Sequence, residues 1–165
     1  MEILTKAIEF ATKKHGNQKR KWSGEPYTEH LNNVAQIVKG IGASQEMQAA
    51  AWLHDVVEDT DVTHQEIVDE FGVSIANIVY GVTDKSKPED GNRKARKEID
   101  RIHLSMGCSR VKTLKLADVI DNTRNLKQVD ERFYKVYRGE ILLLLPLLKG
   151  GNEFLMEKAY KQLTF

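Results

Sequence analysis

A single cysteine, Cys108, occurs among the 165 residues, so no internal disulfide can form and no cysteine-built zinc or iron–sulfur site is available. Such a chain suits a reducing compartment, and a cytoplasmic location is expected. Long apolar runs are missing as well. The longest, Ile141 to Leu148, is interrupted by Pro146 and falls far short of the roughly 20 residues that a membrane span needs. The opening MEILTKAIEFATKKHG mixes charged and apolar residues at helical spacing, without the continuous apolar stretch of a signal peptide. Neither export nor membrane insertion is expected. Charge of one sign is also lacking: 25 Lys and Arg against 24 Asp and Glu leave a net +1, which excludes a global basic field for DNA or RNA. An anionic ligand must therefore be held by local cations, and the expected partner is a small molecule, with no nucleic acid and no membrane. Nothing in the composition reads out a homo-oligomer.

The sequence also has no internal repeat, low-complexity tract or Pro/Ser-rich linker, which removes solenoids and tethered arrays from consideration. Hydrophobic residues make up 41% and charged ones 30%, a balance that suits a soluble globular chain with a sizeable core. One domain over residues 1–165 is expected. Apolar residues recur at helical spacing almost throughout, as in Leu4, Ala7, Ile8, Ala11 and again in Ile75, Ile78, Val79, Val82, while strand-like alternation is scarce. The spacing predicts helices at about 2–15, 27–40, 44–56, 63–71, 73–83, 91–106, 109–125, 130–149 and 152–163. Thr63 followed by Glu66 has the form of a capping box, Gly16, Gly72 and Gly150 stand at helix ends, and Pro26 precedes the second helix. Pro146 falls inside the eighth helix and should kink it, because its ring removes a backbone donor and crowds the carbonyl four residues earlier. The fold class is all-α, a single compact helical bundle.

Polar residues that enter the apolar stripes carry the chemistry. In the second helix Val34, Ile37, Val38 and Ile41 define the inner face, and one turn back lies His30. In the third, Met47, Ala50 and Ala51 do the same, and the spacing reaches His54 with Asp55 beside it. In the seventh, Val111, Leu114 and Ala117 lead to Asp118, with Asn122 a turn further on. An inward carboxylate requires a cation, strong hydrogen bonds or an unusual protonation state, since burying it alone costs several kcal/mol. A lone inward histidine is ordinarily a hydrogen-bonded core residue, and a lone Asp a cap or ion-pair partner. Two histidines and two aspartates from three helices satisfy one another if a divalent metal lies between them. Glu58, four residues after His54, shares its face if the helix persists, and with Asp59 it reaches the metal's neighbourhood; otherwise Glu58, Asp59 and Asp61 form an acidic surface turn. Mixed nitrogen and oxygen ligation suits a Lewis acid that lowers the pKa of water, with a nearby carboxylate to move its proton.

HGNQKRKWSGEPYTEH, then AAAWLHDVVEDTDVT, then VKTLKLADVIDNTRNL together resemble the HD-type hydrolase domain of the RelA/SpoT family. In size the chain is similar to small single-domain relatives of the metazoan SpoT homologue. The resemblance covers most of the chain and implies an all-α HD phosphohydrolase that removes pyrophosphate from the 3′ position of guanosine tetra- and pentaphosphate, the nucleotides of the stringent response. It makes His30, His54, Asp55 and Asp118 the metal ligands, with manganese the usual ion and another divalent metal an alternative. It makes Glu58 and Asp59 the acidic pair that acts on the nucleophilic water and the leaving group. Arg20 and Lys21 match the basic pair against the nucleotide, and Asn122 matches the asparagine beside the ribose.

KRK in a loop is ordinarily a solvated charge run, but a position just before the first metal helix suits phosphate binding. Lys85, Lys87 and Arg93 form a second basic segment of the same kind, and Arg132 and Tyr137 stand where they close a pocket or simply pack. Where relatives of this kind commonly read Arg-Leu-His-Asn after KLAD, the string here is Val119-Ile120-Asp121-Asn122. That departure bears on substrate more than on reaction type and leaves two alternatives: a phosphatase of NADPH or another nucleotide, and a nucleotide-binding module without turnover. A synthetase domain is not expected within these 165 residues. His15, His64 and His103 take structural roles, and Trp22 and Trp52 are expected to be hydrophobic anchors.

Overall fold

Small side chains decide where the helices of the first half meet. In a computed structural model describing residues 2–164, Gln45–Leu53 (α3) buries Met47, Ala49, Ala50, Ala51, Trp52 and Leu53. A run of alanines lets neighbouring backbones approach on several sides, and α3 packs against Ile3–His15 (α1), Tyr27–Gly40 (α2) and His64–Val82 (α5). Ser44 opens α3 by accepting a hydrogen bond from the Met47 amide at 3.3 Å, and Thr63 caps α5 through the Glu66 amide at 3.2 Å, each satisfying an orphan donor of the first turn. These elements, with the short Val56–Asp59 (α4), form one compact unit, Met1–Thr83.

Asp84–Phe165 forms a second compact unit. Its centre is Ser109–Thr123 (α7), which buries Val111, Leu114, Leu116, Ala117, Val119 and Ile120. Around α7 pack Arg93–Ser105 (α6), Leu126–Val129 (α8), Glu131–Leu144 (α9) and Glu153–Thr164 (α10). Asn92 and Asp130 cap α6 and α9 through the amides of Ala95 and Phe133 at 3.1 and 2.9 Å.

The fold is all-α: the described residues contain no strand, only an isolated antiparallel bridge between Lys19 and Pro26. Two of the expected helices break early, and the short α8, Leu126–Val129, was not expected from the spacing. The stretch expected as one helix over 44–56 ends at Leu53, and a new short helix starts at Val56, with Asp55 at φ −104°, ψ −2° between them. The apolar stripe continues through this point, so periodicity gave no sign of the break. The helix expected over 130–149 ends at Leu144 and continues as a tighter 3₁₀ segment, Leu145–Leu148, because Pro146 has no amide to offer Leu142. Gly72 separates two helical halves inside α5 with φ 81°, ψ 164°, where the sequence placed its break between 71 and 73. No helix among the described residues is long and apolar enough to cross a membrane.

Candidate metal centre

The interior side of α2 repeats every four residues, His30, Val34, Val38, so the imidazole enters the core on the same face as its aliphatic neighbours. His30 is buried, as is His54, which caps the end of α3. The His54 Nδ1 lies 2.7 Å from the Ala51 carbonyl. A carbonyl only accepts, so Nδ1 carries a proton and Nε2 of the neutral ring presents a lone pair. That lone pair faces the Oδ2 of Asp55 at 3.0 Å and the Nε2 of His30 at 3.2 Å, with His30 Nε2 3.5 Å from the same oxygen. One ligand atom from each of the three residues lies within 4.8 Å of the others.

Three electron-rich atoms this close repel one another unless a proton or a cation lies among them. Two nitrogens and a carboxylate oxygen are the donor set of borderline divalent metals, and the committed Nδ1 proton of His54 is the outer hydrogen bond that fixes a ligand tautomer. The donor set fits a divalent cation. Tyr27, one turn before His30 on α2, donates its hydroxyl to Asp55 Oδ2 at 2.6 Å and sets its ring 5.4 Å from that of His30. Sequence reasoning missed this tyrosine, although its spacing of three from His30 places it on the same side of the helix.

Asp59 and Glu58 end the short α4, both exposed. Asp59 accepts a hydrogen bond from the Gln18 side-chain amide at 2.8 Å, whereas Asp61 faces Lys14 at 3.6 Å. Arg20 and Lys21 belong to the loop after α1, which closes on itself through Arg20 N to Glu25 O at 2.8 Å and Tyr27 N to Gln18 O at 2.9 Å. Lys21 lies over the Trp22 ring, 4.8 Å from its centre, and Trp52 is buried, as expected of an anchor.

In the second unit Asp118 is buried on α7 and already has strong partners. Lys115 Nζ lies 2.8 Å from its Oδ2, and Asn122 Nδ2 donates to its Oδ1 at 2.6 Å. An inward carboxylate needed a cation, and Lys115, one turn before it, supplies one that sequence reasoning overlooked. Burial works against the Lys115 charge, but Asp118, Asp84 and Tyr137 outweigh it and hold the ammonium well above its ordinary pKa. Burial first, then the Asp118 charge, pushes the Tyr137 hydroxyl up, while Lys115 and a hydrogen bond with Asn122 pull the other way. Val119 and Asp121, the departures from the family string, are both buried in α7. Lys85 is half-buried and Lys87 exposed. Arg93 forms a two-pronged ion pair with Glu140 on α9 at 2.6 and 2.9 Å, and Arg132 is an exposed residue of the same helix.

A family model for the HD domain matches residues 7–143. The zebrafish guanosine-3′,5′-bis(diphosphate) 3′-pyrophosphohydrolase MESH1 is 40% identical over 94% of this chain and 89% of its own length. The Aquifex aeolicus protein of the same activity name is 42% identical over 88% of this chain, of which the match spans only 21% of the longer relative. A solved structure of a metazoan ortholog of SpoT, described as hydrolysing ppGpp, superposes with a TM-score of 0.87 at 29% identity, covering 98% of this chain and 94% of that one.

Proposed function

Because the chain belongs to the HD-domain family, we infer that it is a metal-dependent nucleotide phosphohydrolase acting on guanosine-3′,5′-bis(diphosphate), in the cytoplasm. The observation that carries this is the triangle of His30, His54 and Asp55, whose donor atoms lie within 4.8 Å of one another, with the Glu58–Asp59 pair on the next helix. The substrate rests on the names of relatives covered over most of the chain. Asp118 enters as a further ligand on its motif, and manganese is the ion proposed. A divalent ion held by these donors supplies the Lewis acidity that makes water nucleophilic at neutral pH.

The residues of the chain then have separate tasks. His30, His54 and Asp55 hold the ion, with Tyr27 fixing the Asp55 carboxylate. Water oxygen bonds to the phosphorus carrying O3′, the P–O3′ bond breaks, and pyrophosphate leaves from a nucleotide with a free 3′ hydroxyl. Glu58 and Asp59 take the proton from water and return one to O3′. Arg20 and Lys21 neutralise the phosphates, as would Lys85, Lys87, Arg93 and Arg132 where the nucleotide reaches them, while Asn122 and Tyr137 offer hydrogen bonds to the ribose.

Manganese-loaded protein incubated with guanosine-3′,5′-bis(diphosphate) is expected to yield pyrophosphate and GDP. Glu58→Gln should retain manganese, measured by titration calorimetry, and lose about 10²–10⁴-fold in kcat. Release of orthophosphate from NADPH with the guanosine nucleotide intact would move the substrate and leave the reaction class. Stable binding without product in manganese would make the chain a nucleotide-binding module instead.

A further inference from the structure

The loop after α1 holds a side-chain bridge that the proposed metal centre does not account for. Gln18 is half-buried, with its backbone amide donating to the His15 carbonyl at 2.9 Å and its own carbonyl accepting from Tyr27 N at 2.9 Å. The side chain has one donor end and one acceptor end. The carboxylate of Asp59 only accepts, so the amide nitrogen faces it, 2.8 Å from Oδ2. The amide oxygen is thereby left for His15 Nδ1, also at 2.8 Å. It follows that His15 carries its proton on Nδ1. The other ring nitrogen, Nε2, is buried without a hydrogen-bond partner among the described residues, where a bare lone pair is less costly than an unmatched N–H. His15 is the last residue of α1 and is buried, and its ring stacks on Tyr27 with centres 5.0 Å apart and planes at 25°. The His15 ring therefore supports two arms: Gln18, which reaches Asp59, and Tyr27, which reaches Asp55 at 2.6 Å.

We propose that Gln18 and His15 are positioning residues for Asp59, holding its carboxylate in one orientation for proton transfer. Asp59 is exposed, at the end of a four-residue helix, and an exposed carboxylate on so short an element samples several rotamers unless something fixes it. The bridge to the buried end of α1 restricts it. The role rests on the proposed phosphohydrolase activity and adds to it the residues that aim one of its two acids.

The test uses full-length manganese-loaded protein and guanosine-3′,5′-bis(diphosphate). Gln18→Leu is expected to lower kcat about tenfold, the scale of a misplaced catalytic group, while KM stays within about twofold and manganese affinity by calorimetry is unchanged. In an Asp59→Asn background the same substitution should have no further effect, because a residue acting through Asp59 has nothing left to aim. His15→Phe keeps the stack on Tyr27 and removes the hydrogen bond, and should reproduce part of the loss in wild-type protein and none beyond it in Gln18→Leu. Urea midpoints verify that each variant is folded. If Asp59→Asn is impaired but Gln18→Leu is not, or if their effects multiply, the positioning role falls and the hydrolase reading stands. If Asp59→Asn keeps full rate, the role of Asp59 fails and the inference goes with it.

Discussion

Asp100 illustrates how a residue acquires a task only from its neighbours. On α6 it reads as one acid in the charged string KEIDR, yet its side chain is 4% exposed and it gathers the start of the second unit around itself. Oδ1 accepts from the amides of Lys85 and Ser86 at 2.9 Å each, Oδ2 from the Ser86 hydroxyl at 2.9 Å, and Lys97 lies 3.6 Å away. Burial pushes its pKa up, but the Ser86 and Lys85 hydrogen bonds and the Lys97 charge outweigh that, so the folded value lies below the ordinary one. A depressed carboxylate contributes stability that is present in full above its unfolded pKa, about 3.9, and is lost as pH falls through the lower folded value. Asp100→Asn should therefore cost about 1–3 kcal/mol at pH 7 in urea unfolding, and the gap to the wild type should close as pH falls below that range. Lys115 belongs at this scale too: the inward Asp118 was legible from periodicity, but its nearest cation was not, because a lysine three residues earlier reads as ordinary surface.

At the scale of elements, punctuation was legible where it rests on backbone chemistry and illegible where it rests on side-chain contacts. Gly72, Pro146 and the Thr63 cap each act through their own φ, missing amide or hydroxyl, and the sequence marks all three, although the helix yields at Leu144, ahead of Pro146. The break at His54 and Asp55 has no such marker. It depends on an imidazole turning back to the Ala51 carbonyl and on Tyr27 holding Asp55, and neither can be read from a stripe of alanines. The α5 hinge offers a clean contrast between two glycines. A Cβ on Gly72 meets nothing within 4 Å, so its φ of 81° is the whole obstacle, and Gly72→Ala should destabilise by about 1–3 kcal/mol. Gly139, exposed on α9 and equally uncrowded, carries no positive φ, so Gly139→Ala should stabilise by roughly 0.5–1 kcal/mol. Urea midpoints at unchanged slope separate the two.

For the whole molecule, a filled metal centre and folding are linked, since an ion that binds only the folded chain stabilises it by mass action. At a manganese concentration about a hundred times its Kd, stability should rise by ~2.7 kcal/mol. Thermal scans should show the unfolding midpoint rising with manganese, falling back with a chelator, and staying fixed in Asp55→Ala. The helical class and the inward course of His30 and His54 were determined by the sequence itself, because hydrophobic periodicity is a local property that one helix carries alone. The family was legible for a different reason, in the strings that surround those residues. Only the tertiary structure decided that two imidazoles and a carboxylate point their donor atoms at one spot, that a broken helix delivers Asp55 there, and that Gln18 from the loop after α1 reaches Asp59 while Tyr27 from the start of α2 reaches Asp55. Those facts depend on distances between segments far apart in the chain, and periodicity along one segment carries no information about the side chains that another segment brings to meet it.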